Sequence, residues 1–445
     1  MAAVEAEVAE VEVVEVEEAS VRAEKTVVGT SSSVAWGWCG WCTAGRGVFA
    51  CCGVQLVGSL WLVTRRNHRG EQEGLLASLA QVSALQANPT SRTAAMQGPL
   101  SVLLRNAAAP ETRMPVAGLG TDFSFCENVS TPNASFAPAL LWLKLGGRRF
   151  DGALSYGCDT GVGAAIRASG VPRKEVFVVS KVGPGGLPLP LGYNETLQQA
   201  DRILAQLRDS YVDLLLVHEP YTYWPSPSAA SRAPSSDPSC NLNGAAYSPR
   251  ACRLSTWRAM VRLWHEGKAR SIGVSNYNST HIEEIRGAGL PLPAVNQIEF
   301  SPHHGPLHTP CVCGRSASRP TAHCGTSPME RHEDCGRLLA YMAKLQVAPN
   351  GYSPFEGNGT RRLLDEPRLR AIAAAHGVSA ASVVLRWQWA RHGVLVNPTA
   401  TSEAHQRDNL RFLSGFALSE RELDVLDAWP QSTPPATAQH GGGDD

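Results

Sequence analysis

From about Met114 onward, short apolar runs alternate with stretches whose apolar residues recur every three or four positions. The runs are Arg149–Ala153, Val176–Val182, Val212–His218, Ser271–Ser275, Ala294–Phe300, Val347–Ser353 and Val394–Pro398. Their length and β-branched content predict buried strands. Between them the pattern predicts helices over 194–209, 254–267, 279–287, 335–345, 366–376, 379–392 and 403–413. In the first of these, Leu197, Ala200, Ile203, Leu204 and Leu207 form one apolar stripe. The final helix, Ser419–Trp429, opens with Ser419-Glu-Arg-Glu422, a capping box. Strand–helix alternation implies a parallel sheet with helical crossovers. Repeated over about 320 residues without a split into halves, it predicts the α/β class and a closed (β/α)8 TIM barrel.

Two stretches break the rhythm, and both are expected as long loop insertions on the face formed by the strand ends. Residues 226–252 are Ser-, Pro- and Ala-rich, and residues 303–335 are rich in Cys, His, Pro and Ser. The expected organisation is an extension over 1–110, a barrel over 111–430 and a tail over 431–445. The extension starts with a Val/Glu/Ala run that reads as a solvated disordered segment. Its apolar part, 47–63, is 17 residues long and short for a membrane-spanning helix. A membrane anchor there, or an organelle-targeting leader, is the lesser expectation; a cytoplasmic monomer is the leading one. Five Asn-x-Ser/Thr sequons, at Asn128, Asn133, Asn194, Asn278 and Asn358, bear on the chain only in a secretory lumen.

Forty basic and forty acidic residues cancel, so bulk charge favours neither nucleic acid nor an anionic membrane as partner. Twelve irregularly placed cysteines in so long a chain read as thiols in a reducing compartment, not as a disulfide framework. Cys311, Cys313, His323, Cys324, His332 and Cys335 supply enough soft ligands for one zinc, but their spacing fits no compact module, and no metal is expected.

Candidate chemistry gathers at the ends of the apolar runs. Asp151 and Tyr156 follow one run, Lys181 closes another, and His218 closes a third. In a parallel barrel such positions converge on one pocket at the C-terminal face. The order and spacing of the motifs resemble the aldo-keto reductase superfamily. They are Gly118-Leu-Gly-Thr121, Asp151 with Tyr156 five residues on, Gly161-Val-Gly163, Val179-Val-Ser-Lys181, Asp213-Leu-Leu-Leu-Val-His218, Gly267 to Asn276, Val295-Asn-Gln-Ile-Glu299 and Gly351-Tyr-Ser-Pro354.

That resemblance implies reduction of small aldehydes or ketones with NADPH, NADH being the second candidate. Reduction requires a hydride and a proton for the nascent alkoxide. Tyr156 is the implied donor, although a free phenol titrates near ~10 and needs a lowered pKa. Lys181 is expected to lower it, Asp151 to hold Lys181, and His218 to hydrogen-bond the substrate oxygen. The resemblance further implies that Ser275, Asn276 and Gln297 hold the nicotinamide carboxamide while Tyr352 stacks on the ring. Gly161-Val-Gly-Ala-Ala-Ile166 lacks the third glycine of a dinucleotide fingerprint and reads as a helix-packing feature.

The chain departs from the family's pattern in two places. Thr399 and His405 stand where two cations usually grip the 2′-phosphate of NADPH. Thr399 and Thr401 retain hydrogen-bonding capacity, Asn409 keeps the adenine position, and Arg407 is a substitute cation nearby. Asp122 and Glu219 replace aromatic walls of the substrate pocket, which favours small polar or sugar-derived carbonyls over bulky steroid-like ones. The competing expectation is a catalytically idle barrel serving as a regulatory or membrane-tethered interaction subunit.

Overall fold

A computed structural model describes residues 100–107, 111–122, 125–126, 134–184, 189–220, 235–241, 244–304, 335–356 and 360–429. It also describes the backbone of a hairpin in the N-terminal region, where β1 (Ala35–Ala44) pairs antiparallel with β2 (Gly47–Gln55). The chain divides into two compact units, Met1–Ala94 and Ala95–Asp445. Part of the apolar stretch 47–63 is therefore strand, and its remainder lies outside the described residues. Among the described residues, no helix is long and apolar enough to cross a membrane. The acidic run 1–18, most of the 303–335 insertion and the tail 431–445 also lie outside them.

The second unit is the expected barrel. Its strands are β5 (Leu119–Gly120), β6 (Arg149–Asp151), β7 (Phe177–Val182), β8 (Leu214–Val217), β9 (Ile272–Ser275), β10 (Val295–Glu299), β11 (Ala348–Tyr352) and β12 (Leu395–Val396). They lie side by side in chain order, and each pairs parallel with the next. Backbone bonds from Gly118 N to the Val396 carbonyl (2.9 Å) and from Val396 N to the Val116 carbonyl (3.0 Å) join the last strand to the first. Those bonds close the sheet and leave it no free edge.

Helices fill the crossovers: α1 (Phe136–Lys144), α2 (Asp159–Ala168), α3 (Tyr193–Leu207), α4 (Pro249–His265), α5 (Ser279–Gly287) and α6 (Cys335–Lys344). After β11 come α7 (Thr360–Asp365), α8 (Pro367–His376) and α9 (Ala380–His392); α10 (Glu403–Arg411) and α11 (Glu420–Asp427) follow β12. The expected capping box is present on α11, with Ser419 and Glu422 bonding each other's backbone N–H. Helix α4 starts at Pro249 behind a Ser248 cap, so the end of the expected 226–252 insertion is helical.

Because side chains alternate across a strand, the strands feed two separate apolar clusters. Val178, Leu215, Val217, Ile272, Ile298 and Val396 pack outward in the large cluster shared with the helices. Phe177, Val179, Leu214, Leu216, Val295 and Leu395 form a second cluster with Leu104 and Met114. The latter two come from the hairpin of β3 (Ser101–Leu103) and β4 (Arg113–Pro115). Asn106 Nδ2 ties the hairpin to the Pro293 carbonyl at 3.1 Å, at the start of β10, so it plugs the N-terminal mouth. The expected boundary at residue 110 therefore moves toward the N-terminus, because Leu104 belongs to the barrel's core.

The reading of all cysteines as free thiols is corrected. Cys126 is bonded to Cys158, Cys240 to Cys252, and Cys335 also belongs to a disulfide. Cys126 and Cys158 lie 32 residues apart in sequence and meet because the loop after β5 folds onto the start of α2.

The helix-packing reading of Gly161-Val-Gly163 holds at Gly163, where a Cβ would lie 2.2 Å from the Leu207 carbonyl oxygen at the end of α3. Gly163→Ala is expected to force α2 and α3 apart and cost about 1–3 kcal/mol, the usual range for overpacking. Thermal melting tests this; an unchanged midpoint would show that the contact relaxes freely.

Candidate functional site

The positions that continue the inner rows of the strands toward their C-terminal ends are polar. On β7 the inward series Phe177, Val179, Lys181 passes from apolar to charged. On β8, Leu214 and Leu216 are followed by His218; on β10, Val295 is followed by Gln297 and Glu299. The period of two thus aims Asp151, Lys181, His218 and Gln297 into one space.

Asp151 stands at the centre. Its Oδ1 accepts from Lys181 Nζ at 2.7 Å, and its Oδ2 accepts from Gln297 Nε2 at 2.7 Å and Asn350 Nδ2 at 3.3 Å. Lys181 also donates to the Gly152 carbonyl at 2.8 Å. Burial alone would lower the Lys181 pKa, but the charge and hydrogen bond of Asp151 outweigh it and raise the value, so the ammonium stays charged.

Tyr156 occupies a 3-10 turn (Leu154–Tyr156) beyond β6, ended by Gly157 in the left-handed region at φ 76°. Its hydroxyl lies 3.2 Å from His218 Nε2, and Lys181 Nζ is 5.1 Å from its ring centroid. The expectation of a net lowered phenol is corrected. Burial raises the Tyr156 pKa above the ordinary value; Lys181 pulls it down, and Asp151, Asp122 and Glu219 push it up again. His218 is driven well below the ordinary imidazole range, by burial first and by Lys181 second, so its ring is neutral near pH 7.

The four residues expected around a nicotinamide are also brought together. Asn276 Oδ1 accepts from the Tyr352 hydroxyl at 2.9 Å, and Asn276 Nδ2 faces Ser275 Oγ (3.1 Å), the His218 carbonyl (3.1 Å) and Glu219 Oε1 (3.0 Å). Asn276 holds φ 62°, a left-handed conformation that Asn tolerates better than most residues. Its N–H is fixed by the Gln297 carbonyl at 2.8 Å. A row of hydroxyl and amide groups beside an aromatic ring suits a planar carboxamide-bearing ligand.

Thr399 and Asn409 belong to another part of the barrel. Thr399 follows β12 and borders Gly120, and Asn409 is buried on α10. Arg407, the substitute cation, is engaged by Glu403 one turn earlier at 2.6 Å. Of the two expected pocket residues, Asp122 is exposed and Glu219 partly buried beside Asn276.

Four residues escaped the sequence reading. Asp159 is buried at the start of α2, accepts from Ser180 Oγ at 3.0 Å, and is raised by burial to about 6. Arg149, Asn350 and Asn397 line the interior below Asp151. All three share strand parity with a polar residue already singled out (Asp151, Tyr352 and Thr399), which is the signal that finds them. Among the described residues no group of three or more His, Cys, Asp or Glu is placed to hold a metal.

A sequence model described as the aldo/keto reductase family matches residues 118–312. The glyoxal reductase of Bacillus subtilis is 30% identical over 315 residues, covering 71% of this chain and 88% of its own. The morphine 6-dehydrogenase of Pseudomonas putida is 29% identical over 325 residues, covering 71% and 87%. A Bombyx mori aldo-keto reductase, solved in complex with NADP, shares the fold with a TM-score of 0.55 at 23% identity, over 74% of this chain and 92% of that one.

Burial raises Glu219 and Glu299 to about 8. Both are more basic in the folded chain than in the unfolded one, so their contribution to stability is present at low pH and lost as pH rises through about 8. Glu219→Gln is therefore expected to raise the melting temperature relative to wild type by an amount that grows from about pH 4.5 to 8 and is full at pH 9, while changing it little at pH 4. The opposite order would show that the Glu219 carboxylate is stabilised in the fold.

Proposed function

We propose, for a chain that belongs to the aldo/keto reductase family and is an oxidoreductase of carbonyl compounds, that it reduces small polar aldehydes or ketones with NADPH through a Tyr156 proton donor. The observation that carries this reading is the convergence of Tyr156 Oη and His218 Nε2, 3.2 Å apart, above the buried Asp151–Lys181 pair. NADPH supplies the hydride; the chain's own residues supply the proton, its direction and the exclusion of water.

Tyr156 starts as a neutral phenol, because burial holds its proton. As the carbonyl oxygen gains charge, the phenolic proton moves to it and the phenolate forms beside Lys181. The ammonium stabilises that phenolate, an interaction stronger after proton transfer than before it, which is what lowers a barrier. Neutral His218 keeps one N–H and can donate it to the same oxygen. Its Nδ1 has no hydrogen-bond partner among the described residues. Ser275, Asn276, Gln297 and Tyr352 would hold the nicotinamide end, and Thr399 and Asn409 the adenosine end.

NADPH is named first because the structural relative from Bombyx mori carries NADP. The adenosine end fits a 2′-phosphate less well than the catalytic end fits a carbonyl. Thr399 and His405 carry no fixed charge there, and Arg407 is engaged with Glu403. Each charge-assisted contact is worth about 1.5–3 kcal/mol, so the margin over NADH should be narrow. Fluorescence titration with both coenzymes decides; a strong NADH preference overturns the assignment. The acidic flanks, Asp122 and Glu219, favour polar substrates. Glyoxal reductase among the relatives is consistent with small dicarbonyls.

Tyr156→Phe is expected to lower kcat for a small aldehyde by at least about a hundredfold, the lower range for loss of a general acid, with coenzyme binding near wild type. Because Tyr156 titrates above the usual ~10 and His218 well below its usual range, kcat for reduction should be flat from about pH 6 to 9 once Glu219, which titrates at about 8 beside the site, is replaced by Gln. A bell centred near neutrality would contradict these roles.

A further inference from the structure

Arg149 has no exposed surface, and its guanidinium lies inside the barrel. Its Nη2 donates to the Val396 carbonyl (2.7 Å), the Val116 carbonyl (3.0 Å) and Asn397 Oδ1 (2.8 Å). Its Nη1 lies 3.4 Å from Asn350 Oδ1. Asn397 Nδ2 donates to the same Asn350 oxygen at 3.0 Å, and Asn350 Nδ2 points on to Asp151 Oδ2 at 3.3 Å. A continuous polar chain thus runs from Arg149 to the Asp151 oxygen that does not hold Lys181.

The barrel does not need this cation for its backbone. The two carbonyls already accept the closing bonds from Gly118 N and Val396 N. Burial depresses the Arg149 pKa to about 10, and Asp151 works against that. Replacing a buried charge with an apolar residue of similar size is often neutral or stabilising. Space is also reserved for it, since a Cβ on Gly118 would lie 2.5 Å from Arg149 Nε.

We propose that Arg149, clamped by Asn350 and Asn397, is a positioning residue that offsets the Asp151 charge from its Oδ2 side, leaving the Lys181 ammonium free to act on Tyr156. The inference rests on Tyr156 as the proton donor. Without the guanidinium, Asp151 opposes Lys181 more fully and the phenol becomes a weaker acid. The other groups facing this cluster stay as they are: Asp122, Glu219, His218 and Tyr352 around Tyr156, Asp159 behind Lys181, and Gln297 on Asp151.

The test uses the full chain carrying Arg149→Met or Arg149→Lys, with folding checked by thermal melting. The Tyr156 phenolate is titrated by ultraviolet difference absorbance against the same variant carrying Tyr156→Phe, and kcat is measured against pH. Arg149→Met should raise the Tyr156 midpoint and the basic limb of the reduction profile by about one pH unit. At pH 7, kcat should fall roughly tenfold, with coenzyme affinity within about twofold of wild type. Arg149→Lys should restore the midpoint. A folded Arg149→Met chain with an unshifted midpoint and unchanged kcat overturns the proposal. If wild type turns over no small carbonyl, the carbonyl-reductase reading fails by itself, and the absorbance titration still decides the role of Arg149.

Discussion

The buried ion pair between Asp151 and Lys181 is the constraint around which the rest of the site is arranged. Two opposite charges in a dry interior cost several kcal/mol each to desolvate, and mutual attraction repays this only when every remaining donor and acceptor is met. Here the condition is satisfied from several strands at once. Lys181 takes the Gly152 carbonyl as a second acceptor, and Asp151 receives Gln297 and Asn350 on its far oxygen. A pair so enclosed adds little to stability. Its product is a fixed positive charge beside a phenol in a place where water cannot screen it.

The barrel makes this arrangement possible by separating its two interiors. The N-terminal half is sealed by the β3–β4 hairpin and filled by Phe177, Val179, Leu214, Leu216 and Val295. The C-terminal half is polar, built from the next residues in the same inward rows. Burial then acts in opposite directions on neighbouring groups. It keeps Tyr156 protonated and His218 neutral, while the ionic contact keeps Lys181 charged. One phenol that holds its proton and one ammonium beside it are the two states that the proposed carbonyl reduction requires.

Much of this was legible in the chain. Seven strand runs, the barrel class and the convergence of Asp151, Tyr156, Lys181 and His218 follow from alternating hydrophobicity and from polar residues at strand ends. Helix α1 was not legible, because Phe136–Lys144 is apolar on nearly every side and carries Pro138, leaving no amphipathic period to detect. Helix α2 was recognised only as a packing feature, since its glycines lower helix propensity while permitting the contact with Leu207. The Cys126–Cys158 bond depends on a tertiary approach that spacing does not encode. The direction of the Tyr156 shift was also out of reach. Lys181 is visible in sequence, whereas the burial that outweighs it, with smaller additions from Asp151, Asp122 and Glu219, acts only after folding.

The most direct measurement of the central claim is the steady-state oxidation of NADPH at 340 nm with a small aldehyde, comparing wild type with Lys181→Met. If the buried ammonium is what makes Tyr156 a competent acid, kcat should fall by about a hundredfold or more while NADPH affinity, read by fluorescence quenching, stays close to wild type. A Lys181→Met chain that folds and retains near wild-type kcat would contradict the account.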